Sequence, residues 1–272
     1  MREHIQNRLY HVEILPPKQN SEKLESDLAA FADKFNRVMD SGYCACVTDN
    51  AMGLLSFQGH ETIEHLKLRV LPEQVMLHLN TFHSKHDLDE LLAHCVAMGF
   101  KYILVVSGDG SERLPKLSPS DLGLSGTAAV TSVELTAYIR ARYPQFVIGV
   151  AFNPYEPSEE EFAKLDRKLA AGASFVITQP IIDRNAIVVG LLRRHPNVPV
   201  IVEAWMTKKL HLLSDVVGYS IPENTEFDPL ATLEDLHRWF PECGAYLSLL
   251  GFKTQYPVIE SLWDRLAKEE TV

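Results

Sequence analysis

Eight short apolar runs, recurring roughly every thirty residues with amphipathic segments between them, govern how this 272-residue chain can fold. The runs lie at 11–15, 43–48, 75–79, 103–106, 146–152, 175–178, 198–202 and 245–250. Their length and their scarcity of polar residues suit strands covered on both faces. The segments between them carry apolar residues at helical spacing. Leu24, Leu28, Phe31, Phe35 and Val38 form one such stripe behind Ser21, which reads as an N-cap. Leu88, Leu91, Leu92 and Cys95 form another within 86–98. Further helices are expected at 61–70, 130–142, 158–171, 183–194, 210–217, 233–240 and 258–268. The acidic start of 158–171 suits a helix dipole, and Gly172 suits its C-terminal cap.

Strand–helix alternation means a parallel sheet, and eight units favour closure over an open sheet. The expected fold class is therefore α/β, a single (β/α)8 TIM barrel with 1–272 as one domain. A nucleotide-binding G-x-G-x-x-G fingerprint is absent, which argues against a doubly wound alternative.

In a parallel barrel the C-terminal strand ends share one mouth, where ligands gather. Polar residues fall at or near those ends: Glu13, Thr48, Asp49, His78, Asn80, Asp109, Asn153, Gln179 and Glu203. Any one of them can be a cap or a satisfied core residue. As a set they read as a small-molecule site. Lys101–Gly110, KYILVVSGDG, is the sharpest case, a buried strand running into a glycine turn that holds one acid, Asp109. The Ser-, Pro- and Gly-rich stretch 111–127 that follows is long for a strand–helix connection, as functional loops often are.

Other chemistries find less support. A formal net charge of −10 argues against nucleic acid and against an anionic membrane surface. There is no apolar run long enough to span a membrane, and MREHIQNRLY has no apolar signal core, so a cytoplasmic protein is expected. Cys44 and Cys46 share a strand face without a second His/Cys cluster, which favours core thiols, as for Cys95 and Cys243, over a metal site. No metal cage and no nucleophile elbow stands out.

Several blocks resemble the methylenetetrahydrofolate reductase family: VEILPPK at 12–18, CVTDN at 46–50, LHLN at 77–80, ILVVSGD at 103–109 and AGASFVITQPIID at 171–183. They follow the family's order through about Val202, while the last seventy residues match loosely. The resemblance implies a TIM barrel that moves hydride between a nicotinamide, NAD(P)H, and a folate one-carbon unit, usually through FAD. It assigns the acid to Glu13, the pterin-facing carboxylate to Asp109 and the folate-binding amide to Gln179. Asn80 and Asp49 join Gln179 on the substrate side. Thr48, His78, Ser107, Asn153 and Lys168 take the cofactor positions.

The chain also departs from the family pattern. Ser107 stands where an Arg often precedes the G-D turn. Phe152-Asn153-Pro154-Tyr155 lacks the usual Tyr and His, and Leu250-Gly251-Phe252 replaces an Asn-Arg pair. Losing Arg removes a permanently charged fork suited to phosphate, which points to weak or absent FAD and leaves direct hydride transfer open. Physically, methylenetetrahydrofolate needs a proton to open its ring, which a partly desolvated Glu13 can supply. A carboxylate at Asp109 can stabilise the resulting cation, and Gln179 offers donor and acceptor to a pterin edge. Two other readings stay open: a non-redox tetrahydrofolate-binding methyl-transfer or demethylation protein, and a folate-binding subunit that needs an electron-donating partner. A homo-oligomer is compatible with each.

Overall fold

A computed structural model describes residues 1–108, 110, 114–125, 127–222 and 224–269, with the side chains of 52 and 263–269 left aside. Eight strands are found: β1 His11–Ile14, β2 Cys44–Val47, β3 Val75–Leu79, β4 Tyr102–Val105, β5 Val147–Phe152, β6 Phe175–Pro180, β7 Val200–Trp205 and β8 Gly244–Ser248. They close into a parallel barrel in chain order, the (β/α)8 architecture expected from the alternation. The helices are α1 Arg2–Gln6, α2 Leu24–Asp40, α3 Gly59–His65, α4 Lys85–Ala97, α5 Ser132–Arg142, α6 Ser158–Ala170, α7 Ala186–Arg194, α8 Leu210–Val217, α9 Pro229–Trp239 and α10 Tyr256–Glu269.

Two compact units are distinguished, one of Ile14–Ala151 with Ala163–Ser174, the other of Met1–Glu13, Phe152–Phe162 and Phe175–Val272. In the first, β2 and β4 are buried along their whole length, with α2 lying on β2 and α5 on β4. Phe35, Val38, Leu88, Leu92, Leu135 and Ile139 are fully buried. In the second, α8 lies on β6 and α9 on β7, around Val176, Leu191, Ile201, Leu236 and Leu247. All four cysteines are buried free thiols, and burial pushes those of Cys95 and Cys243 up, out of reach of nucleophilic use. Among the described residues no helix is long and apolar enough to cross a membrane.

Helix ends follow local chemistry. Ser84, Asn185 and Asp228 cap α4, α7 and α9, and Thr131 with Glu134 forms a capping box on α5. Ser21 does not cap α2; its hydroxyl takes the Lys23 N–H and donates to Asp27, organising the turn before the helix. Five helices end in the same motif, in which two consecutive N–H groups fold back on the last turn; after α1 it is Arg8, at φ 56°, that turns left-handed. Gly42, Gly99 and Gly172 hold the left-handed position after α2, α4 and α6, at φ of 73°, 76° and 112°.

Lys67 holds that position after α3, at φ 51°, with Lys67 N–H on Glu64 O and Leu68 N–H on Ile63 O. The helix expected over 61–70 therefore stops at His65. A residue with a Cβ is strained there, by roughly 1–2 kcal/mol. Lys67→Gly should accordingly raise stability by up to about 1 kcal/mol, visible as a higher urea midpoint with an unchanged slope.

β6 and β7 run further than the apolar runs indicate, to Pro180 and Trp205, so Gln179 and Glu203 lie inside strands. Their pairing slips between Ile177 and Pro180, which places Pro180 opposite Glu203. Glu203 N–H donates to the Thr178 hydroxyl at 3.1 Å, and Ile181 N–H donates to the Glu203 carbonyl at the same distance.

Candidate functional site

In the unit that carries β6, β7, β8 and the start of β1, polar side chains gather on one sheet face. Glu203 stands opposite Tyr246 and Trp205 opposite Ser248 across β7 and β8. Tyr246 in turn stands opposite His11 of β1. Residues paired across neighbouring strands, and residues two apart along one, point to the same side. Glu13, two residues beyond His11, therefore shares the face of Glu203, Tyr246, Ser248 and Trp205. The Tyr246 hydroxyl donates to Glu13 Oε2 at 3.1 Å, and Leu249 N–H donates to Oε1 at 3.2 Å.

Leu249 reaches that position with φ 54°, a left-handed conformation uncommon for a residue with a Cβ. Its side chain packs against the cluster of Trp205, Leu210, Leu213, Val217 and Ile221. Apolar packing holds the turn, and the turn aims an N–H at Glu13.

Both acids on this face are perturbed. Burial pushes the Glu13 carboxyl up, while the Leu249 and Tyr246 hydrogen bonds pull it back. Burial and then the neighbouring Glu13 charge push the Glu203 carboxyl well above the usual carboxylate range, against a Ser248 hydrogen bond. Two carboxyls whose environments separate them in this way can divide the roles of proton holder and anion. Close by, the Tyr155 hydroxyl donates to the Pro180 carbonyl at 2.7 Å, and burial keeps it protonated. The buried indole N–H of Trp205 has no hydrogen-bond partner among the described residues, and the Gln179 amide is half-buried. Both suit a ligand's polar edge.

In the other unit Asp49 is the centre of a knot. Its side chain is 3% exposed. Its Oδ2 accepts from Asn80 N–H at 3.0 Å and from His83 Nε2 at 2.7 Å, and its Oδ1 accepts from the Asn50 amide at 3.0 Å. The Asn80 amide donates back to the Asp49 carbonyl at 2.9 Å, and its oxygen takes the Phe82 N–H at 2.7 Å. The hydrogen-bonding groups of Asp49 and Asn80 are thus engaged with the protein itself, tying the end of β2 to the end of β3. Thr48 is buried beside them, and its N–H donates to the Ile14 carbonyl.

The turn after β4 is pressed against this knot. A Cβ on Gly108 would meet Asn80 at 2.8 Å, and one on Gly110 the Phe82 ring at 2.6 Å. Glycine is what permits that approach. Asp109, between them, lies outside the described residues. The Ser107 side chain is exposed, and its carbonyl takes the Thr81 hydroxyl at 2.8 Å.

The positions that the resemblance gives to a flavin do not fit a dinucleotide. Two phosphates need exposed cationic or N–H donors. Lys168 is 4% exposed, and its ammonium donates to the Ala151 carbonyl at 2.6 Å. Burial lowers the His78 pKa to about 4, against the Asp49 charge, so the ring is neutral. The Asn153 oxygen closes a turn with Tyr155 N–H at 3.0 Å, and Ser107 carries no charge. None of these five positions, Thr48 included, presents an exposed cation.

Tyr246, Leu249, Trp205 and His83 received no role from the sequence, and Glu203 only a place in the set of strand-end polar residues. For Glu203 a signal exists: VIVEAW places an acid in an apolar strand as HVEI does for Glu13. For the others the partner is more than thirty residues away in sequence or, for Trp205, unseen.

Comparison with known proteins follows this geometry. The family described as methylenetetrahydrofolate reductase matches residues 1–235. No curated protein matches. A solved structure from Clostridium thermocellum, described as an uncharacterized protein that binds two copies of 5-methyl-5,6,7,8-tetrahydrofolic acid, is similar with a TM-score of 0.66. It is 15% identical over 98% of each chain, a likeness of fold.

Proposed function

The chain belongs to the methylenetetrahydrofolate reductase family, and on that premise we propose that it binds a reduced folate and acts as an oxidoreductase on its one-carbon unit. The observation that carries this reading is Glu13, a half-buried strand acid with a raised pKa, held by Tyr246 and the strained Leu249 turn. Opening the ring of methylenetetrahydrofolate needs a proton at the departing nitrogen and an anion beside the cation that results. Glu13 is suited to the first, and Asp109 takes the second by resemblance. Gln179 would read the pterin edge with its half-buried amide. A reduced nicotinamide would supply the hydride. The same residues serve the methylene-to-methyl direction and its reverse by microscopic reversibility.

A second, non-redox reading draws support from the misfit at the flavin positions and from the 5-methyltetrahydrofolate bound by the Clostridium thermocellum protein. In that reading the chain binds methyltetrahydrofolate for transfer to, or from, a partner. Anaerobic incubation of methylenetetrahydrofolate with NADH, with and without FAD, separates the two. Methyltetrahydrofolate formed without FAD supports the reductase; no turnover together with tight calorimetric binding of methyltetrahydrofolate supports the carrier. Absence of both turnover and binding would defeat the folate assignment.

The flavin positions give a separate expectation. Titrating the protein with FAD should show no saturable fluorescence quenching at micromolar concentrations. Losing one charge-assisted phosphate contact costs about 1.5–3 kcal/mol, or roughly one to two decades in affinity. Flavin carried stoichiometrically through purification would contradict this.

A further inference from the structure

We propose that Glu203 and Glu13 form a carboxyl dyad that shares a single proton, with Glu203 as the proton-holding member and Glu13 as the anion that faces the folate. The assignment rests on the folate reading above only for what the proton is used for. The dyad itself stands on the geometry. Tyr246, opposite Glu203 across β7 and β8, sends its hydroxyl to Glu13 Oε2. Leu249 N–H takes Glu13 Oε1. Glu13 thus has a donor on each oxygen, the arrangement that favours a carboxylate. Glu203 has its main chain fixed on both sides, by Thr178 and Ile181, so its side chain cannot leave the face it shares with Glu13.

The groups that face Glu203 are Glu13 from β1, Tyr246 and Ser248 from β8, and the Tyr155 phenol from the segment after β5, itself pushed up in part by the Glu203 charge. Among the described residues no cation is one of the groups that shift either carboxyl. Two half-buried carboxylates side by side with no counter-ion repel each other, and one proton between them relieves the repulsion.

In use, the bridge carbon–N10 bond breaks and its electron pair goes to N10. Glu13 takes the proton from Glu203 and passes it to N10, so both carboxyls end as carboxylates opposite the cationic iminium. Once hydride from the reduced nicotinamide has reached the methylene carbon, the dyad recovers its proton from water. Glu203 acts through Glu13 and is a positioning residue in this scheme.

Infrared titration of the folate-free protein tests the dyad directly. A protonated-carboxyl C=O band should persist above the ordinary carboxylate range in the wild type. In Glu203→Gln the persistent band should be lost, leaving only the Glu13 carboxyl, which titrates at lower pH, and in Glu13→Gln the Glu203 band should itself titrate at lower pH, because the repelling charge is gone. The linkage has a definite sign. A carboxyl whose folded pKa is raised binds more protons folded than unfolded, so its contribution to stability falls as pH rises from the unfolded value through the folded one. Glu203→Gln, a neutral isostere, should therefore gain thermal stability over the wild type across that window, by a margin that grows with pH. In turnover, the alkaline limb should move to lower pH in Glu203→Gln, since Glu13 must then carry the proton alone.

A wild type without the persistent band, or a band unchanged in Glu203→Gln, overturns the dyad. If the band behaves as expected but calorimetry shows no binding of 5-methyltetrahydrofolate, the dyad stands and the folate reading falls.

Discussion

Glu13→Gln should lower turnover of methylenetetrahydrofolate by about 10²–10⁴-fold, the usual contribution of a positioned acid, while reduced-folate affinity changes only a few-fold. The amide keeps the shape of the carboxyl. Its oxygen can still accept Leu249 N–H, and its nitrogen can donate to the Tyr246 hydroxyl, which reverses its role from donor to acceptor. The site stays assembled, and what it loses is a group that can pick up and release a proton. Single-turnover kinetics beside calorimetry with 5-methyltetrahydrofolate give the two quantities separately. A turnover rate within two-fold of the wild type would remove Glu13 from the chemistry. Equal losses in turnover and affinity would make it a binding residue instead.

Asp49→Ala should cost about 3–5 kcal/mol of stability, the second large effect. The substitution abandons three donors at once: Asn80 N–H, His83 Nε2–H and the Asn50 amide. Asn80 is 2% exposed and His83 and Asn50 are each 5% exposed, so water reaches them poorly. An unsatisfied buried donor costs about 1–3 kcal/mol. Asp49→Asn, which keeps one acceptor oxygen, should lose less. Urea denaturation followed by circular dichroism reads both. The pair also decides between two roles for Asp49. As the centre of a knot it affects the unfolding midpoint first. As the substrate contact expected from its place at a strand end, it would leave that midpoint alone and weaken folate binding.

Elements whose determinants are local were legible in the chain. Each of the eight strands lies where an apolar run of strand length predicts it, because burial on both faces requires that composition all along a parallel strand. Helices α2, α4 and α6 stop where Gly42, Gly99 and Gly172 provide a backbone that can turn left-handed without a Cβ. α3 was expected to run longer because Lys67 performs the same turn at a cost that no composition signal records. The ends of β6 and β7 were placed early for a related reason. Gln179 and Glu203 read as polar stops, whereas a strand can keep a polar residue on a face where other polar groups meet it.

The chain by itself therefore determined the architecture, the placement of Glu13 within β1 and of Asp49 after β2, and the core role of the four thiols. Only the tertiary structure decided what those residues meet. Glu13 acquires its two donors from residues more than 230 positions away, and Glu203 faces it because β8 lies between β7 and β1 in a closed barrel. Lys168, a flavin position by resemblance, turns its ammonium onto the Ala151 carbonyl, and Asp49 and Asn80 satisfy each other. The physical reason is common to all of them. Local sequence sets backbone conformation and which face is apolar, but the partner that sets a side chain's charge, proton and direction is supplied by strand register across the sheet, which no stretch of sequence carries within itself.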